Sequence, residues 1–348
     1  MNDPALMLSA LRTGAMDFVA LGRESVCDPH LPEKIKEGRL DEILTCTGCM
    51  QRCLYPNSFE EGFGISCMIN PFSGKEHIWE ITPAEKKKKI AVVGAGPVGL
   101  QAAWILAKRG HEVKVYEKEI TAGGQYRLAA VPAMKQELAK TISTYLTFCK
   151  KYGAEVIYGV KATKEMLEQE GFDEIILACG AQPLVPRIPG IDGENVYLAN
   201  QVLSFDVRLS GQKILVLGAG LVGAEAAEVL STYGNKVTVV DMLDKAAPLA
   251  PLRPRENLLS RLDKAGVGFC LNSRVCEIRP DGIRYEQNGE TKEMTGFDSI
   301  VLAFGSRSDK ALETEYEGDH RIHSVGDCLT AGDAKKGIYE ATKLAMVL

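Results

Sequence analysis

Apolar positions along the chain fall into two matched blocks. The first is KIAVVGAGPVGLQAAWILAKRGHEVKVYEK, from Lys89 to Lys118, and the second is KILVLGAGLVGAEAAEVLSTYGNKVTVVDM, from Lys213 to Met242. Each opens on a continuous apolar run, KIAVV or KILVL, the pattern of a strand buried on both faces of a parallel sheet. A glycine-rich turn follows. Apolar residues then recur at helical spacing in LQAAWILAKRG and AEAAEVLSTYG, both ending on glycine. VKVY and VTVV predict the next strands. The repeat predicts two β-turn-α-β modules. The run Ile90 to Ala107 approaches transmembrane length, but its glycines fit a strand–turn–helix better than a spanning helix.

The two turns align residue by residue. Gly94, Gly96 and Gly99 map onto Gly218, Gly220 and Gly223, and Glu117 maps onto Asp241. The first glycine permits a tight turn, the second lets backbone approach a pyrophosphate, and the third lets helix and strand pack closely. N–H groups at the helix start then face the phosphates. In both copies the acid stands 23 positions after the first glycine, near the spacing of about 20 for a residue that binds ribose hydroxyls. The chain therefore carries two dinucleotide sites. A carboxylate repels a 2′-phosphate, so Asp241 favours NADH over NADPH at the second site. Arg253 and Arg255, further on, weaken that preference.

Composition places these modules in an ordinary setting. The 348 residues are 45% hydrophobic and 25% charged, typical of a globular protein of two or three domains. A net charge of −5 gives no footprint for nucleic acid. The basic run Lys86 to Lys89 reads as the solvated start of a strand. MNDPALMLS lacks the basic stretch and apolar core of a signal peptide. The expectation is a cytoplasmic protein with no membrane partner. In that compartment thiols stay reduced, so clustered cysteines point to metal or redox chemistry rather than structural disulfides.

Such a cluster exists. TCTGCMQRC carries Cys46, Cys49 and Cys53, and ISCMIN carries Cys67. This is not the zinc pattern of two spaced C-x-x-C pairs. It suits four thiolates converging on a [4Fe-4S] cluster, with zinc as the alternative. Gly48 frees the backbone between the first two. Cys27, Cys149, Cys179, Cys270, Cys276 and Cys328 show no ligand spacing and are expected to be buried small hydrophobes. The five histidines form no triad or metal pattern.

Two further stretches carry a resemblance. TAGGQYR, with Gly123, Gly124 and Gln125, follows the first module, and IHSVGDCLTAGDAKKGIYEATKLA, with Gly326 and Asp327, lies near the C-terminus. Together with the paired turns they resemble the two-dinucleotide flavoproteins that include thioredoxin reductase and glutathione reductase. The resemblance implies FAD at Gly94, Gly96, Gly99, Glu117, Gly124, Gln125, Gly180, Gly326 and Asp327. It implies NADH (or NADPH) at Gly218, Gly220, Gly223, Glu225 and Asp241. IILACGAQP, with Gly180, and IVLAFGSRS, with Gly305, look like that family's strand–glycine connections. The implied FAD domain is split, 86–205 and 318–348, around a nicotinamide domain at 206–317. No C-x-x-C follows GGQ or lies in the nicotinamide domain, which argues against a disulfide reductase.

GAMDFVALGRESVCDPHLPEKIKEGRLDEILTC, with CTGCMQRC and SCMINP, narrows the resemblance. Essentially the whole chain is similar to the NADH:flavin oxidoreductases like 2,4-dienoyl-CoA reductase, 2-enoate reductase and trimethylamine dehydrogenase. In that family a (β/α)8 barrel holding FMN and substrate precedes the cluster and the two dinucleotide domains. The resemblance implies an α/β fold: two Rossmann-like domains, one inserted in the other, after a cluster segment (46–85) and the last strand and helices of a TIM barrel (1–45). DFVALGR falls on the last barrel strand, with Gly22 and Arg23 at the FMN phosphate, and Cys46, Cys49, Cys53 and Cys67 fall on the cluster ligands. Electrons are expected to run from NAD(P)H to FAD, cluster and FMN, then to an activated C=C bond.

A barrel needs about 200 residues, and 45 precede Cys46. FMN is therefore expected only if another chain completes the barrel, either a separate barrel chain or a second copy. The family's proton donor falls outside this sequence, so no catalytic residue is assigned. Two other readings stand beside this one: an electron-input subunit like the small subunit of glutamate synthase, and a non-catalytic gene fragment. The small-molecule substrate is not legible, because its determinants belong on barrel loops.

Overall fold

The computed structural model describes residues 2–54 and 64–348. Two compact units emerge: residues 1–127, 136–181 and 308–348 form the first, and residues 128–135 and 182–307 the second.

In the first unit, five parallel strands lie in the order Ile322–Ser324, Glu174–Leu177, Lys89–Val93, Glu112–Glu117, Glu155–Tyr158. The central strand is Lys89–Val93, and Ile90, Ala91 and Val92 are fully buried, which is why its sequence is continuously apolar. Helices Pro97–Lys108, Glu137–Tyr152 and Ala334–Val347 belong to this unit. Buried polar side chains in them pair off: Gln101 donates to Thr342 at 2.9 Å and accepts from the Trp104 indole at 2.9 Å. Each group left alone there would cost about 1–3 kcal/mol.

The second unit repeats the scheme, in the order Val196–Leu198, Ser299–Leu302, Lys213–Leu217, Lys236–Val240, Gly268–Cys270, again parallel. An antiparallel sheet of Ser273–Arg279, Gly282–Gln287 and Glu290–Thr295 follows. The inserted α/β organisation expected from sequence is the one observed. Its boundaries differ from 205/206 and 317/318. Residues 182–205 belong to the second unit because Val196–Leu198 pairs with Ser299–Leu302 and Ala199 and Val202 enter that unit's core. Residues 308–317 belong to the first because Tyr316 is buried with Tyr116 and Phe172.

One expected element is absent. DFVALGR, read as a barrel strand, forms no strand: helix Pro4–Arg12 precedes an irregular stretch, and helix Arg23–Cys27 follows. A strand needs a neighbour to satisfy its backbone groups, and no described residue pairs with this stretch; Phe18 is 80% exposed. The cysteine segment is anchored to the first unit by Thr144, whose hydroxyl donates to the Ile43 carbonyl at 2.9 Å, and by Tyr145, whose hydroxyl donates to Ile69 at 2.6 Å. Trp79 stacks on Tyr339 of the last helix at 5.3 Å. Among the described residues, no helix is long and apolar enough to cross a membrane.

Candidate functional site

Both glycine turns have the same construction. The Gly94 N–H donates to Tyr116 O at 2.8 Å and the Gly218 N–H to Val240 O at 2.8 Å, so each turn hangs on the next strand. Gly94 and Gly218 have φ of +108° and +114°, a conformation that favours glycine. A methyl at either would overlap the carbonyl of Ala178 or Ala303. A methyl at Gly99 would overlap the Gly94 carbonyl, and one at Gly223 the Gly218 carbonyl. These four glycines are fixed by packing. Gly96 and Gly220 differ: nothing lies within 4 Å of a Cβ at either. Each is the N-cap of a helix, Pro97–Lys108 or Leu221–Thr232, where N–H groups and the helix dipole favour phosphate.

The acidic residues match as well. Glu117 accepts from the Ala95 N–H at 2.8 Å and, through its other oxygen, from the Glu119 N–H at 2.9 Å. Asp241 accepts from the Ala219 N–H and from the Leu243 N–H, the latter at 2.8 Å. Each carboxylate thus sits at the lip of its own glycine turn.

The first unit brings the other expected FAD residues to its turn. Gly123 donates to Ala95 O at 2.8 Å, and a Cβ on Gly124 would stand 3.8 Å from Gly96 Cα. The Gln125 amide donates to Ala181 O, next to Gly180. Gly326 packs so closely on Val98 that a Cβ there would be 3.0 Å from its methyl. Asp327 accepts from Gly332 N at 3.0 Å, and burial raises its carboxyl pKa. In the second unit Glu225 is buried and bonded at 2.6 Å to Lys135. Burial lifts the Glu225 pKa, and the ammonium opposes the lift. Sequence reading missed Lys135, since 90 positions separate the partners and no motif links them.

The four cysteines lie in the first unit. Cys67 lies within electrostatic reach of Cys46, Cys49 and Cys53. Burial raises the Cys46 and Cys53 thiols and pushes Cys49 up to about 11. Cys67 moves the other way, held down first by its side-chain contact with Cys27. Backbone N–H groups point at the sulfurs: Gly48 at Cys46, Gln51 at Cys49, Ile69 and Asn70 at Cys67. Gly48 (φ +68°) and Met50 (φ +57°) bend the loop to allow this. Glu24 accepts from the Cys46 N–H at 2.8 Å, and burial pushes its pKa up to about 7. Arg23 lies beside Cys46 and Cys53, and Gly22 caps its short helix. Among the described residues, no group of three or more His, Cys, Asp or Glu side chains is arranged to hold a single metal ion. Residues 55–63, between Cys53 and Cys67, lie outside the described residues. Four thiols with N–H donors aimed at them are a donor set that fits an iron–sulfur cluster. Tyr126 is buried two positions after Gly124, in reach of Cys49 and Cys67.

Comparison with known proteins agrees with this construction. Residues 88–327 match the family model described as pyridine nucleotide-disulphide oxidoreductase. The chain is 34% identical over 95% of its length to an NADH oxidase of Thermoanaerobacter brockii, covering 53% of that protein. It is 32% identical over 99% of its length to a cinnamate reductase of Clostridium sporogenes, covering 52%. A solved 2-naphthoyl-CoA reductase superimposes with a TM-score of 0.93 at 30% identity, over 100% of this chain and 53% of that one. The chain thus spans about half the length of the curated relatives it matches. Binding of FAD and NAD(P)H comes with the family. Matched turns, acids and relatives together make this chain a member of the pyridine nucleotide-disulphide oxidoreductase family, corresponding to the C-terminal part of the enoate-reductase-type NADH:flavin oxidoreductases.

Proposed function

We propose that this oxidoreductase module takes electrons from NADH and passes them through FAD to a [4Fe-4S] cluster held by Cys46, Cys49, Cys53 and Cys67. FAD, when bound, accepts a hydride as an electron pair and can release electrons singly, which suits it to feed a one-electron centre. The observation that carries the reading is the position of Tyr126. It stands in the helix that begins at Gly124 and is buried within electrostatic reach of Cys49 and Cys67, which supports a cluster near the segment assigned to FAD.

The chain's own residues divide the work. Gly220 and Asp241 hold the nicotinamide dinucleotide by phosphate and ribose, and Gly96, Glu117 and Asp327 hold FAD. The Glu225–Lys135 pair keeps a buried carboxylate neutralised next to the second turn. N–H groups of Gly48, Gln51, Ile69 and Asn70 stabilise thiolate ligands.

The electrons' destination is FMN on a (β/α)8 barrel, with Gly22 and Arg23 at its phosphate, and finally an activated C=C bond. The cinnamate and 2-naphthoyl-CoA reductases among its relatives support a substrate class of carbonyl-conjugated unsaturated acids or thioesters. The barrel belongs to a separate chain, to a second copy, or to the remainder of a longer polypeptide. Exposed Leu6 and Phe18 are the apolar surface it would cover. Anaerobic reconstitution with FAD, iron and sulfide tests the proposal. NADH oxidation with an artificial acceptor and four irons per chain are expected, with little reduction of cinnamate. Eight irons would favour the glutamate-synthase-like alternative, and absence of both chromophores would favour the non-catalytic one.

A further inference from the structure

Two cysteines without ligand spacing meet in the fold. Cys179 and Cys328 are 149 positions apart in sequence. They leave the C-terminal ends of neighbouring parallel strands, Glu174–Leu177 and Ile322–Ser324, which pair in register from Ile175–Ile322 to Leu177–Ser324. The pairing continues past the strands, where Val325 N donates to Leu177 O at 3.0 Å. Each thiol's pKa is set first by its side-chain contact with the other. Cys328 Sγ also donates to Asp309 O at 3.3 Å, and Asp309 N donates to Gly180 O at 3.1 Å. Cys328 is thus bonded to Asp309, and Asp309 to Gly180, the residue after Cys179. Cys328 is 1% exposed and Cys179 half-buried, and both are free thiols. Small buried hydrophobes do not require a sulfur facing a sulfur, and alanine or valine would fill such positions.

We propose that Cys179 and Cys328 are a redox-modification site that closes to a disulfide under a small peroxide oxidant. Adjacent strand ends and the Cys328–Asp309–Gly180 hydrogen bonds hold the two residues side by side, where side-chain rotation can form an S–S bond of about 2.05 Å. The contact holds the Cys179 proton and lowers the Cys328 pKa, so Cys328 is the thiol nearer its thiolate form. The thiolate of one residue attacks hydrogen peroxide, giving a sulfenic acid and hydroxide. The second thiol then attacks that sulfur, displacing water. In sum two thiols and one peroxide give one disulfide and two waters, and the two electrons pass from sulfur to the peroxide oxygens. The half-buried side of Cys179 is the way in. Gly180 adjoins one thiol and Asp327 the other, so the bridge ties together two loops at the edge of the first dinucleotide turn. This inference stands whether or not the cysteine cluster holds iron.

Peptide mapping of the full chain tests it. The purified protein is treated with graded hydrogen peroxide, free thiols are blocked with N-ethylmaleimide, and trypsin is applied without reductant. Tryptic peptides 165–187 and 322–335 carry Cys179 and Cys328 as their single cysteines. The expected product is these two peptides joined, two hydrogens lighter than their sum, split by dithiothreitol and lost in Cys328→Ser. It forms at doses that leave the lone Cys276 fully alkylated. If both peptides remain separately alkylated at doses that oxidise Cys276, or if each pairs with a different cysteine, the proposal is overturned.

Discussion

The backbone N–H of Ala95 donates to the Glu117 carboxylate at 2.8 Å, across 22 positions of sequence. The acid that sequence reading assigns to a ribose therefore also ties the glycine turn to the end of the next strand. Glu117→Ala removes the acceptor for Ala95 and Glu119. The expected cost is about 1–3 kcal/mol of stability, from buried donors left unpaired, together with weaker FAD retention. Glu117→Gln keeps one acceptor oxygen and recovers part of both. Denaturant unfolding and flavin absorbance after gel filtration read the two effects. An alanine variant as stable and as flavin-bound as the parent would contradict the double role.

Space around the glycines separates folding from binding. A methyl on Gly99 would overlap the Gly94 carbonyl, whereas one on Gly96 meets nothing within 4 Å. Gly99→Ala should lower stability by about 1–3 kcal/mol through overpacking. Gly96→Ala should fold normally and lose FAD, because the methyl occupies the phosphate's approach. Gly220→Ala should keep FAD and raise the KM for NADH at least tenfold. Circular dichroism, flavin content and steady-state kinetics distinguish the three.

Asp241 is committed to the Ala219 and Leu243 N–H groups, which holds its side chain at the lip of the second glycine turn. NADH should outcompete NADPH in kcat/KM. Asp241→Ser should narrow that ratio by about tenfold or more, corresponding to about 1.4 kcal/mol. The ratio of specificity constants for the two cofactors is the measurement, and a parent enzyme that prefers NADPH would overturn the assignment.

The Lys135–Glu225 pair makes stability depend on pH. Burial lifts the Glu225 pKa above its ordinary value of 4.5, and Lys135 pulls against the lift. Between the unfolded and folded pKa values the folded protein holds the extra proton, so stability falls as pH rises through that window. Lys135→Met removes the opposing cation and raises the folded pKa further. The variant should match the parent near about pH 4 and fall behind it as pH rises, by up to about 3–5 kcal/mol for a buried charge left unpaired. A deficit independent of pH would mean that Lys135 acts through packing alone.

Much of this was legible in the sequence because local pattern and tertiary role coincide. The strand KIAVV is apolar because it is central, and Gly94 and Gly218 are glycine because of positive φ and close carbonyls. Asp241 and Glu117 could be found by spacing from those glycines. What the sequence hid were contacts between distant segments without a repeat. Lys135 reaches Glu225 from an excursion of eight residues, 128–135, that no composition shift marks. Cys179 and Cys328 meet only because their strands are neighbours in the sheet. The boundary at residue 182 was missed because Val196–Leu198 is a three-residue edge strand, too short to carry a periodic signal. DFVALGR shows the converse failure: its sequence reads as a strand, but pairing decides whether one forms.

The central claim is that electrons from NADH reach a cluster on Cys46, Cys49, Cys53 and Cys67 by way of FAD. The direct measurement is electron paramagnetic resonance of the reconstituted chain, frozen after anaerobic addition of NADH. A reduced-cluster signal should appear in the parent, require at least tenfold more NADH in Gly220→Ala, and reach the parent's intensity in that variant with dithionite. Flavin bleaching by NADH with no cluster signal, in protein whose cluster dithionite does reduce, would contradict the relay.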